Sequence, residues 1–180
     1  MLHSVNIKQA MNSTRRNTLI HLGGIFAGTF SLDAFSAPLK EFPTAKSLPL
    51  EISAALKNAS PLLVFVSLDN CPFCKIAREN YLLPLMNEQS IPVVQVNFRH
   101  HASVMDARGN VTTQDQLIRS WSIKVAPTVL FLGKDGNEIA PRLAGGTTSD
   151  FYGAYIDERI REAKSNISNI SNISREIVKR

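Results

Sequence analysis

The sequence predicts an α/β sandwich built on a mixed β-sheet, and three observations carry that expectation. Short, nearly all-apolar runs such as "LLVFVSL" and "IPVVQVNF" read as strands covered on both faces. Stretches with apolar residues at helical spacing alternate with them. Finally, "KDGN" between two further apolar runs is a hairpin turn signal. Strands joined through a helix point to parallel pairing by a right-handed crossover, and the hairpin adds antiparallel strands. With 180 residues, 44% hydrophobic and 19% charged, the chain has room for one domain with a sizeable core.

Taken in order, Ala37–Ser47 is rich in Pro, Lys and Ser and reads as a linker. "LPLEISAALKNAS" then sets Leu48, Ile52, Ala55 and Leu56 at helical spacing, and Ser60–Pro61 stops the helix. The first strand is Leu62–Leu68. "KIAREN" and "YLLPLMNEQ" continue as helix, with Pro84 expected to break or kink it and start a short second helix. "IPVVQVNF" is the second strand. The polar stretch Arg99–Thr112, with Gly109–Asn110, is a loop or small hairpin, and His100 and His101 within it are expected to be solvated. "TTQDQLIRSWSI" reads as a helix capped by Thr112 or Thr113, with Leu117, Ile118 and Trp121 turned inward. "PTVLFLG" is the third strand, and "EIAPRLAG" pairs antiparallel to it as an edge strand, because Pro141 lacks a ladder donor. Ser149 caps a closing helix with Phe151, Tyr155 and Ile160 on one face. Residues 165–180, beginning "SNISNISNIS", are weak helix formers and read as a frayed low-complexity tail beyond a domain at 48–164.

The first 36 residues read as an export signal. Lys8, Arg15 and Arg16 form a basic start, and Thr18–Leu32 is apolar but shorter than the roughly 20 residues a spanning helix needs. Ala34 and Ser36 offer small residues for cleavage before Ala37. "TRRNTLI" resembles a twin-arginine signal, with Thr18 where Phe is usual. That resemblance implies a bacterial source and the periplasm, where disulfides are permitted. A retained membrane anchor is the lesser reading, since His21 and Asp33 interrupt or flank the apolar run. The formal charge of +5 is partly the leader's, since residues 1–36 hold three Lys/Arg and one Asp and leave +3 on the remainder, so no nucleic-acid or lipid partner is inferred from it.

The chain has two cysteines, both in "NCPFCK". As a staple the pair closes so short a loop that it removes little entropy from the unfolded chain. As a zinc site it lacks ligands, since about four are needed and His100 and His101 are adjacent in one loop. The redox reading fits the local physics. Cys71 sits where a strand ends and a helix begins, and Pro72 takes the first helical position, where its missing N–H costs nothing. The free N–H groups of a helix start favour a thiolate at Cys71. Cys74 lies one turn further, placed to attack a mixed disulfide formed at Cys71.

Joined to "SIKVAPTVLFLGKDGNEI" and to "RLAGG" before the closing helix, "CPFCK" resembles the thioredoxin superfamily over about Leu48–Lys164. The resemblance implies a three-layer sandwich, a central mixed sheet flanked by helices. It also implies that Pro127 is cis beside the cysteine pair and that the Ala126 backbone binds an incoming extended peptide. Fixing such a bond costs only about 0.5–1 kcal/mol. Pro72 and Phe73 are grouped with Ala126 and Pro127 as substrate-binding residues. The chain departs from cytoplasmic thioredoxins in carrying Asn70 where they have Trp and Phe65 where they have a buried Asp. Asp69 and Lys75 are the nearest charges and are expected to be exposed. The leader, the Pro-aromatic pair and the long loop after "VNF" look most like SoxW-type periplasmic thioredoxins.

The implied activity is that of a thiol–disulfide oxidoreductase needing no metal and no cofactor beyond the Cys71–Cys74 couple. It would reduce disulfides of partner proteins, as a monomer reset by a membrane electron donor. The alternatives are a disulfide-donating oxidant and a thioredoxin-fold binding module without redox activity. Oxidants of the DsbA type carry a helical insertion too large for Arg99–Thr112, and periplasmic isomerases carry an N-terminal dimerisation domain too large for Ala37–Ser47.

Overall fold

The computed structural model describes residues 41–146 and 151–178. The expected leader and the Ser149 cap lie outside them. Four strands form the central sheet: β1 (Leu62–Ser67), β2 (Val93–Asn97), β5 (Thr128–Leu132) and β6 (Glu138–Ala144), in the order β2-β1-β5-β6. β1 runs parallel to β2, with Val64 opposite Val94, and antiparallel to β5, with Val64 opposite Leu130. The sheet is therefore mixed. A separate two-stranded hairpin, β3 (Ser103–Met105) and β4 (Val111–Thr113), fills the stretch between β2 and the next helix.

Strand alternation divides the core in two. Leu63, Phe65, Val129 and Phe131 face one side, where they meet Cys74, Ala77, Leu82, Ile156 and Ile160. Leu62, Val64, Val66, Leu130 and Leu132 face the other, against Leu48, Ile52, Leu117 and Ile118. Hence α1 (Leu48–Lys57) and α4 (Gln114–Ser120) cover one face. The helix after β1 and the closing helix α5 (Tyr152–Val178) cover the other. This is a three-layer sandwich.

Capping follows the sequence closely at α4. Thr113 accepts the Gln116 N–H at 3.3 Å, and the Gln116 side chain reaches back to the Thr113 N–H at 3.3 Å. Pro141 lies on the edge strand, and the β5–β6 register gains an extra residue on β6 between Ala140 and Leu143.

Four expectations are corrected. The part of the linker within the described residues, 41–47, docks as an extension of the sheet: Thr44 bridges Gln95 in parallel, with N–H···O bonds of 2.9 Å from Ala45 to Gln95 and from Gln95 to Pro43. Phe42 anchors it, buried edge-on against Phe65 at a centroid distance of 5.6 Å. Pro and Lys made this stretch look solvated, but Phe42 and Ala45 are buried while Pro43, Thr44 and Lys46 stay outside.

Second, the short helix expected from Pro84 is present, starting at Leu83, but it is joined to the helix before it by a widened turn and not by a break. α2 (Pro72–Ile76) passes into α3 (Leu83–Gln89) through a π-helical turn over Ala77–Leu82, with the Leu83 N–H donating to the Arg78 carbonyl. Widening the turn by one residue moves aside the carbonyl that the proline ring would strike.

Third, the tail is not frayed over its described length, since α5 runs to Val178. The Asn166 amide donates to the Ile139 carbonyl at 2.8 Å, and the Ser168 hydroxyl turns back to the Lys164 carbonyl at 3.0 Å. Fourth, Phe151 and Tyr155 are exposed, and the buried face of α5 is Tyr152, Ile156, Ile160 and Ala163. The spacing fits a helix either way; only the sheet selects the face.

Candidate functional site

Three elements converge on the cysteines. β1 ends at Ser67, and a turn leads to Asn70, whose φ of 55° is a left-handed conformation that Asn tolerates better than most residues. Cys71 caps α2: its Sγ accepts the Cys74 N–H at 3.1 Å, and its carbonyl accepts the Lys75 N–H at 3.1 Å. Pro72 occupies the first turn, as the sequence predicts. Cys71 and Cys74 form a disulfide, with Cα atoms 5.2 Å apart. Cys71 is partly exposed and Cys74 only 1% exposed. The outer sulfur is open to a partner and the inner one is shielded.

The third element is the start of β5. Val66 pairs with Thr128, so the register brings Ala126–Pro127 to the end of the sheet from which β1 leads to Cys71. The Ala126–Pro127 peptide is cis. Pro127 is buried, Ala126 is partly buried against the same core cluster as Cys71 and Cys74, and the Pro127 carbonyl accepts the Gly145 N–H at 2.7 Å. Around the pair, Phe73 and Val125 are each 49% exposed and Ile76 is 37% exposed. Large apolar side chains left open on the elements that carry a site are what a partner surface offers.

Behind the disulfide lies a cleft of about 760 Å³, lined by Ser67, Asp69, Cys71, Cys74, Arg78 and Glu79 among others. Asp69 and Lys75 are exposed, as expected. Lys75 pairs with Glu79 on its own helix. His100 stays partly exposed in its loop but has a partner. Its Nε2 lies 2.9 Å from Asp69 Oδ2, so it ties the loop after β2 to the turn before Cys71. Asp115 steadies the same loop by accepting the Arg99 N–H at 3.0 Å. That bond, with the Arg119 contact, holds the Asp115 carboxyl below the usual aspartate value.

Sequence reading overlooked Arg78. It follows Cys74 by four residues, a spacing that puts it on the same helical face. Its guanidinium donates to Ser67 Oγ at 3.3 Å and to Gln95 Oε1 at 3.1 Å, and it lies over the Phe65 ring at 5.7 Å. Helical spacing could have flagged it, but the partners on β1 and β2 could not be read from the sequence. Among the described residues no group of three or more His, Cys, Asp or Glu side chains is arranged to hold a metal, and no helix is long and apolar enough to cross a membrane.

The model of the thioredoxin-like domain family matches residues 48–160. Among solved structures, Trxlp from Edwardsiella tarda is 24% identical, covering 59% of this chain and 91% of its own at a TM-score of 0.40. A DsbH oxidoreductase is 14% identical, covering 69% and 86% at 0.48. Mitochondrial thioredoxin 3 from Saccharomyces cerevisiae, in its oxidized form, is 16% identical, covering 67% and 94% at 0.43. No curated protein matches the chain.

Proposed function

Because the chain belongs to the thioredoxin-like domain family, we propose that it is a periplasmic reductant of protein disulfides. Family membership together with the Cys71–Cys74 disulfide supports thiol–disulfide oxidoreductase activity, with protein thiols and disulfides as substrates. The observation that carries the reading is the asymmetry of the pair: an open Cys71 receiving a helix N–H, and a shielded Cys74 within bonding reach.

In the proposed reaction the Cys71 thiolate attacks one sulfur of a partner disulfide. A Cys71–partner bond forms, and the other partner sulfur leaves as a thiolate that takes a proton from solvent. Cys74, giving up its proton, attacks the Cys71 sulfur. The intramolecular disulfide forms, and the second partner sulfur leaves with that proton. The partner gains two electrons and the dithiol loses two. Ala126 and Pro127 would align the partner backbone, and Pro72 and Phe73 would line its path. A membrane electron donor would reset the dithiol of a monomeric protein.

Several features support the finer assignment. The basic and apolar leader over residues 1–36, with its twin-arginine-like "TRRNTLI", supports export, and residues 37–180 would be the mature chain. Pro72–Phe73 and Phe65 support a SoxW-type thioredoxin over a cytoplasmic one. One observation favours the oxidant alternative: an N–H donated to Cys71 Sγ stabilises a thiolate, hence the reduced form.

The test is dithiothreitol-driven reduction of insulin by the purified protein. Turnover that Cys71→Ser abolishes is the expected result; no turnover, with nothing lost in the variant, would remove the enzyme reading. Direction is decided by the equilibrium potential of the couple, and a value near about −120 mV, that of a strong oxidant, would overturn the reductant assignment.

A further inference from the structure

Among the described residues, Arg78 is a cation held by neutral groups. Its partners are the Ser67 hydroxyl, the Gln95 amide oxygen and the face of the fully buried Phe65 ring. The Gln95 amide is itself oriented, since its nitrogen donates to Asn97 Oδ1 at 2.9 Å and so presents its oxygen to Arg78. Among the described residues no carboxylate pairs with this guanidinium. The acids that line the same cleft are otherwise engaged: Asp69 with His100, and Glu79 with Lys75. Ser67 and Gln95 are the polar groups that β1 and β2 place on it.

A half-buried cation fixed in place and left without a counter-ion costs desolvation that an anion nearby would offset. In the disulfide state both sulfurs that line the cleft are neutral, and its carboxylates, Asp69 and Glu79, bond to His100 and Lys75 and not to Arg78. Reduction changes that. Breaking the Cys71–Cys74 bond puts thiolate character on sulfurs in the same cleft, with Cys74 one helical turn from Arg78. We infer that Arg78 supplies, from within the cleft, the positive charge that offsets the cysteine thiolates, favouring the dithiol over the disulfide and speeding attack by Cys74.

The inference rests on the proposed exchange reaction and adds a residue to it. In the resolving step the Cys74 proton still ends on the departing partner thiolate. Arg78 neither gains nor loses one. With an aromatic ring at Phe65 in place of a buried acid, electrostatic support of the anion takes the place of a buried general base.

The full chain, in glutathione redox buffers with the two states separated by thiol alkylation, tests this. Arg78→Gln is expected to shift the equilibrium toward the disulfide by about tenfold, which for a two-electron couple is about 30 mV more reducing. It should also move the pH midpoint of insulin reduction upward. Arg78→Lys, which keeps the charge, should restore most of both. Gln95→Glu leaves Arg78 in place but gives it a carboxylate, and should shift the equilibrium in the same direction as Arg78→Gln. A loss of packing alone would not reproduce that pattern. An unshifted equilibrium in Arg78→Gln, or in Gln95→Glu should Arg78→Gln not fold, overturns the inference, as does an Arg78→Lys shift equal to that of Arg78→Gln. A wild-type protein that neither equilibrates with glutathione nor reduces insulin removes the oxidoreductase reading itself.

Discussion

At the scale of single residues, the two sulfurs differ in exposure more than in chemistry, and their roles divide accordingly. Cys71 is open and receives an N–H; Cys74 is shielded behind it. Replacing Cys74 by Ser should leave the first attack intact and remove the second. A covalent Cys71–partner adduct should then accumulate, visible on non-reducing gels and released by dithiothreitol. Tyr152 offers a second residue-level test. Its hydroxyl is buried with no hydrogen-bond partner among the described residues, and burial pushes its pKa up to about 12. An unpaired buried hydroxyl costs about 1–3 kcal/mol. Tyr152→Phe keeps the edge-on ring contact with Tyr81 and drops that cost, so its thermal midpoint should equal or exceed the wild type. A clear drop would mean that the hydroxyl has a partner after all.

At the scale of elements, the sheet extends one segment beyond its named strands. Phe42 packs on Phe65, whose other neighbour is the Arg78 guanidinium, so the docked segment also shapes the wall behind the cysteines. Phe42→Ala should cost about 3–5 kcal/mol in urea unfolding, the range for a large aromatic removed from a core. A cost below about 1 kcal/mol would return residues 41–47 to the status of a linker, being what surface changes give. The middle of α5 is tied to β6 by a bond from the Asn166 amide to the Ile139 carbonyl. Asn166→Ala should therefore cost about 1 kcal/mol and increase amide exchange in β6 near that carbonyl. At α4 the cap at Thr113 was legible from the sequence, because a cap residue is read locally; the returning bond of Gln116 was added by the structure.

At the scale of the whole molecule, stability against acid should depend on Asp115. Its folded pKa lies below the ordinary aspartate value of 3.8, through the Arg99 N–H first and the Arg119 contact next. A depressed carboxyl contributes fully above its unfolded pKa, and the contribution disappears as pH falls through the lower folded value. The urea midpoint of the wild type should fall as pH drops below about 4, and that of Asp115→Asn should start lower and fall less. Equal slopes would show that the loop after β2 is held by other means. The sequence by itself determined the order of elements, the mixed sheet and the cysteine pair at a helix start. Each of these is encoded locally, in alternation, helical spacing, turn residues and caps. Only the tertiary structure decided which face of α5 is buried, that the stretch before α1 joins the sheet edge, and that Pro84 sits beyond a widened turn. It also decided that Arg78 stands over Phe65 with Ser67 and Gln95 around it. For α5, the docked segment and Arg78 the physical reason is the same. The deciding neighbour lies on a strand distant in sequence, and local pattern carries no information about which distant surface a residue will meet.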